Sequence, residues 1–157
     1  MKNYYLGIDQ STQGTKALIL DKNGKLIYRC DKSHRQIVNE NGWIEHDPEE
    51  IYNNVIKVVG EAISKSGINA SEIAGVGFSN QRETTIAFDK VTGHPIYNAI
   101  VWQCARAGAI CEEISKNSDA NLIYDITGIP LSPYFSAAKM AWILRNVSNA
   151  QEIQSDF

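Results

Sequence analysis

The sequence predicts a mixed α/β sheet covered by helices. Three observations carry that prediction. Short apolar runs joined by tight polar turns open the chain, one strongly capped helix follows, and strand-like runs then alternate with helical periodicity. At 157 residues the chain is long enough for one domain with a sizeable core.

Tyr4 to Ile8 and Ala17 to Leu20 are apolar runs separated by the polar turn Asp9 to Lys16, which reads as a β-hairpin. Asp21-Lys22-Asn23-Gly24 is a second turn with the favoured Asn-Gly pair. Leu26 to Cys30 then completes an antiparallel meander. The first helix has Asp47 as cap, Pro48 at its first position and Glu50 placed for a capping box. Ile51, Val55, Val58, Val59 and Ala62 follow at helical spacing, and Gly67 ends the run. Ile73 to Phe78 reads as a buried strand. Ile86 to Phe88 and Ala99 to Trp102 read as two more, with a hairpin turn at Asp89 to Gly93. A second helix is expected over Ala105 to Ser115 and a third from Ser136 through Leu144, with Pro130 and Pro133 punctuating the loop between them.

Composition excludes several classes. Charged residues make up 21% and the net charge is -3, with no basic stripe, which argues against a nucleic-acid partner. No apolar run is long enough to span a bilayer, and the N-terminus lacks the apolar core of a signal peptide. Cys30, Cys104 and Cys111 are sparse and lack CxxC spacing, as expected of reduced thiols in a cytoplasmic protein. His34, His46 and His94 have no metal-ligand spacing and read as structural or solvated.

Asn80 to Thr85 (NQRETT) sets a guanidinium beside a carboxylate. Neighbours on a strand point to opposite faces, so Arg82 and Glu83 can converge on one ligand only from a loop or bulge. Arg donates and Glu accepts, which together suit vicinal hydroxyls. A solvated surface ion pair is the other reading. Trp102, at the end of an apolar run, and Tyr134, in the Pro-framed loop 132–136, offer aromatic faces for a sugar or polyol; core packing is their other reading. In the first turn, Asp9 precedes Ser11, Thr12, Thr15 and Lys16. A tight hairpin there can aim amides and hydroxyls at a phosphate, with Lys16 neutralising charge and Asp9 holding Mg²⁺ through water. An ordinary polar hairpin has the same residues. It is not a Walker A loop, whose spacing is absent.

Four collinear segments resemble the FGGY carbohydrate kinases, most closely the branch that phosphorylates glycerol: residues 7–21, 42–52, 79–103 and 127–144. The resemblance implies a ribonuclease H-like, actin-like ATPase domain with an opening antiparallel meander and flanking helices. It implies that Arg82, Glu83, Trp102 and Tyr134 line a polyol site. Thr12, Gln13, Gly14 and Lys16 would belong to the first phosphate loop, with Asp9 on the Mg²⁺ side. ATP and Mg²⁺ are the implied cofactors, and glycerol or a related polyol or sugar the implied substrate. A homo-oligomeric full-length protein is compatible with it. Two departures stand out. Ser11 replaces the usual loop Gly, with Gly14 placed to supply backbone freedom, and Cys104-Ala105 replaces an Asp-Arg pair. The STQGTK loop also resembles pentulose kinases such as xylulokinases. Residues 1–157 are expected to be an incomplete first domain, with the second actin-like domain and the general-base aspartate beyond residue 157. The chain alone is then expected to be inactive. A non-catalytic polyol-binding module is the alternative. A ribonuclease H-like nuclease is disfavoured, because only Asp9 sits where clustered metal-binding carboxylates would be needed.

Overall fold

The computed structural model describes residues 3–116, 120–148 and 150–151. The chain divides into two compact units, Met1–Gln36 with Asp47–Gln81, and Ile37–His46 with Arg82–Phe157.

The first unit is a four-stranded mixed sheet under one long helix. Strands β1 (Tyr4–Gln10), β2 (Gly14–Asp21) and β3 (Leu26–Ser33) form the expected meander. The first turn is tighter than the polar run suggests. Asp9 pairs with Lys16 and Gln10 with Thr15 across the ladder, so only Ser11, Thr12 and Gln13 connect the strands. Leu6, Ile8, Ala17, Ile19 and Cys30 face one side and are buried against Val58 and Ala62 of the helix. Each large member contributes on the order of 2 kcal/mol by leaving water. Gly14 is needed for space rather than freedom. A Cβ there would lie 2.6 Å from the Lys32 carbonyl oxygen, and Gly14 is not among the glycines with positive φ.

Helix α1 (Pro48–Ser66) starts and stops where its signals stand. The Asp47 carboxylate accepts from the Glu49 amide at 2.9 Å, and Gly67 ends the helix at φ 77°. The expected capping box is not made, because the Glu50 carboxylate turns to Arg35 at 3.4 Å. A 3₁₀ turn at Ala70–Glu72 leads into β6 (Ile73–Ser79), parallel to β1. The sheet order is β3-β2-β1-β6. β6 is a strand as expected, but not a buried one: Val76 is 53% and Phe78 72% exposed. The reason is position, since β6 is the edge and α1 packs on β1, β2 and β3.

The second unit holds a small sheet and three helices. β4 (Ile37–Val38), β5 (Ile44–His46) and β7 (Ala99–Ile100) lie in that order. The β4–β5 hairpin was not anticipated, although Asn41-Gly42 carries the same turn signal as Asn23-Gly24. Ile86 to Phe88 forms no strand. Thr85 bridges Ile100 and Phe88 bridges Pro95, a residue with no amide hydrogen to extend a ladder. The Asp89–Gly93 turn forms as expected, its Asp89 carboxylate accepting from the Val91 and Thr92 amides. β7 stops short of Trp102 because the Trp102 amide donates to Thr84 Oγ1. Helix α2 covers Gly108–Lys116 and not Ala105 onward, since turns at Cys104 and Gly108 take up the intervening residues. α3 (Ala120–Thr127) was missed: its Leu122, Tyr124 and Ile126 are exposed, so no buried stripe marks it. α4 (Ser136–Asn146) falls where expected. The core here joins Ile100, Cys104, Ile110, Cys111, Trp142 and Ile143.

Candidate functional site

Arg82 and Glu83 occupy a turn, as a convergent pair requires. Glu83 has φ 62°, the left-handed region that non-glycine residues rarely adopt. The turn is tied to β7. Thr85 and Ile100 exchange backbone hydrogen bonds of 2.9 Å, and Thr84 Oγ1 accepts from the Trp102 amide at 3.3 Å. Across from this strand end, the Trp102 and Tyr134 rings meet edge-on with centroids 5.7 Å apart. Phe135 packs on the other side of Tyr134 at 5.0 Å. The Tyr134 amide donates to Ser132 Oγ, closing the Pro-framed loop. Trp102 and Tyr134 are therefore brought together, with Glu83 linked to the same strand end. Arg82 is exposed and forms no ion pair with Glu83 among the described residues.

In the first unit, the Lys16 ammonium lies 2.9 Å from the Asp9 carboxylate. That hydrogen bond holds the Asp9 carboxyl below its ordinary value, against the opposing effect of burial, and Ser79 adds a smaller pull downward. Asp9 is thus a carboxylate at neutral pH, the donor type that hard cations take. No group of three or more potential metal ligands occurs among the described residues. A cation here would therefore draw its other oxygens from phosphate and water. Ser11 Oγ and the Ser11 amide both donate to the Gly14 carbonyl at 2.9 Å, and His34 Nε2 donates to the Thr12 carbonyl at 2.9 Å. Gln13 is exposed at the tip.

Sequence reasoning missed three polar features. Lys139, on the α4 face that carries Trp142, is fully buried and donates to the Tyr134 carbonyl and, at 3.4 Å, to that of Phe135. A charged residue inside the apolar stripe AAKMAWIL is the signal that could have found it. Arg106 is buried 2.6 Å from Glu45 and packs over Trp43 and Trp142. Cys104 has a role beside it, its Sγ accepting from Arg106 Nε at 3.1 Å and from the Ile44 amide at 3.4 Å. Third, the His34 contact to the phosphate-loop candidate was not anticipated. All three cysteines are buried free thiols, and no helix among the described residues is long and apolar enough to cross a membrane.

The FGGY family of carbohydrate kinases, N-terminal domain, matches residues 4–155. The chain belongs to the FGGY family. This FGGY chain is 47% identical over 148 residues to glycerol kinase 1 of Thermotoga maritima, covering 94% of the chain and 30% of that relative. It is 44% identical over 152 residues to the glycerol kinase of Bacillus subtilis, covering 97% of the chain and 31% of that relative. Among solved structures, Plasmodium falciparum glycerol kinase with ADP superposes with a TM-score of 0.89 at 36% identity, covering 99% of the chain and 31% of the other. The ligand-bound xylulose kinase of Lactobacillus acidophilus gives 0.82 at 27%, covering 97% and 30%. The fold is thus the ribonuclease H-like, actin-like fold of these sugar kinases, as the family resemblance implied. The FGGY chain spans about 30% of the length of the curated relatives it matches.

Proposed function

We propose that this chain is the N-terminal part of an ATP-dependent kinase that phosphorylates a hydroxyl of glycerol or a closely related polyol. The observation that carries the reading is the Trp102–Tyr134 aromatic pair at the end of the strand to which the Glu83 turn is tied. The carbon face of a polyol packs on such rings, while Arg82 donates to its hydroxyls and Glu83 accepts from them. Holding the acceptor hydroxyl in one orientation is a large part of catalysis in phosphoryl transfer.

The residues of the first turn fit a nucleotide phosphate and Mg²⁺. Asp9 is an ionised strand-end carboxylate, and Thr12, Gln13, Gly14 and Lys16 surround a tight turn beside it. Asp9 would hold Mg²⁺ through water, and Lys16 would divide its charge between Asp9 and phosphate. Bound Mg²⁺ supplies charge neutralisation on the phosphates. The reading assigns the general base to an aspartate outside residues 1–157, and makes these residues an incomplete first domain.

A pentulose is the second reading, motivated by the likeness to xylulose kinase. The higher identity to glycerol kinases favours glycerol. Titration of the chain with glycerol and with xylulose, followed by NMR, tests both. Shifts at Glu83, Trp102 and Tyr134 with glycerol are expected. Shifts only with xylulose would transfer the assignment, and no shift with either would remove it.

A further inference from the structure

We propose that Lys139 is a positioning residue of the polyol site: its amine, seated under the 132–135 loop, fixes the Tyr134 ring against Trp102. The purpose of that placement rests on the polyol reading above; the placement itself does not.

Lys139 is the fourth residue of α4 and is 0% exposed. Two features of that placement are locally costly. Lysine is almost never fully buried without a partner. A cation also sits badly near a helix N-terminus, where the helix dipole is itself positive. An apolar side chain would pack beside Ala138, Trp142 and Ile143 at less cost. What lysine adds is its donors. They go to the carbonyls of Tyr134 and Phe135, the last residues of the loop that precedes the helix. Phe135, at the cap position, makes no side-chain capping bond, and the ammonium holds the carbonyls of the two residues that enter α4.

The anchored backbone belongs to the residue whose ring meets Trp102 at 5.7 Å. Burial pushes the Lys139 amine below its ordinary value, while Cys104, Glu83 and Cys111 pull the other way. Glu83 is also the residue held in the left-handed region. A buried lysine and a left-handed glutamate are both locally unfavourable choices. Such features persist where geometry has a use.

The test uses the 157-residue chain with Lys139→Met, which keeps the length and removes the donors. A folded variant is expected to lose the NMR cross-peaks between the Trp102 and Tyr134 rings and to shift the Trp102 indole N–H. A purely structural lysine would lower the unfolding midpoint yet leave those cross-peaks in place, and that result overturns the proposal. If the variant does not fold, the wild-type chain decides. Its Tyr134 and Phe135 carbonyl carbons and the ring cross-peaks should change together as the Lys139 amine loses its proton. Signals that stay constant through that titration overturn the proposal. Millimolar glycerol added to wild type is a separate arm. Absence of shifts there counts against the polyol reading alone, because the ring cross-peaks still decide the role of Lys139.

Discussion

The Arg106 guanidinium lies 2.6 Å from the Glu45 carboxylate and is walled by Trp43 at 4.6 Å and Trp142 at 4.9 Å. Removing one member leaves a buried charge without its counterpart. Arg106→Met is therefore expected to destabilise the chain by about 3–5 kcal/mol. Adding Glu45→Gln to it should cost much less than the sum of the two single changes. Urea denaturation of the four proteins in the cycle measures this; additive costs would mean that the pair is not coupled.

Acid should weaken the same network. Burial raises the Glu45 carboxyl, but hydrogen bonds from Asn98, Arg106 and Tyr97 outweigh it and hold the value below the ordinary 4.5. The unfolded chain then binds the proton more readily than the folded one. The contribution is complete above the unfolded value and lost as pH falls through the folded one. Urea midpoints taken from neutral pH down to about pH 3 should fall more steeply for wild type than for Glu45→Gln. Parallel curves would show that Glu45 does not carry the acid sensitivity.

Glu83 keeps a left-handed backbone that glycine adopts without penalty. Glu83→Gly should raise stability by up to about 1 kcal/mol, the strain relieved less the added freedom of the unfolded chain. Polyol binding should be lost in the same variant, since the acceptor carboxylate is gone. A variant both less stable and still able to bind glycerol would contradict both roles.

On the proposed reading, Arg82→Ala in the full-length protein is expected to reduce kcat/KM for the polyol by about 2–5 kcal/mol of transition-state stabilisation, as for truncating one member of a charge contact that the bound polyol desolvates. KM for ATP should hold steady. An unchanged kcat/KM removes Arg82 from the site.

The β6 edge carries Val76 and Phe78 exposed. Open apolar edges invite strand pairing between molecules. The isolated chain is expected to self-associate, and Phe78→Lys to shift it toward monomer in sedimentation. Identical distributions would place the association elsewhere.

Much of the first unit was legible because its signals are local. Asp47, Pro48 and Gly67 bound α1 by their own backbone chemistry. Asn23-Gly24 sets the β2–β3 turn in the same way. The second unit was less legible. α3 hides its character because Leu122 and Ile126 stay exposed, and the Ile86–Phe88 run becomes a pair of bridges around a turn. Residue types at the candidate site were readable, since Arg82, Glu83, Trp102 and Tyr134 carry their chemistry wherever they lie. The Glu45–Arg106 pair was not, because nothing local distinguishes a buried charge from a solvated one, and Lys139 showed only as a charge inside an apolar stripe.

By itself, then, the sequence determined the meander, the capped helix and the kinase family, all of which rest on turn and cap residues or on collinear motifs. Tertiary structure alone decided which side chains meet. Trp102 reaches Tyr134, and Arg106 reaches Glu45, only when distant segments pack together. The physical reason is that burial and partner geometry set the cost of each charge. Those quantities belong to the assembled chain and not to any stretch of it.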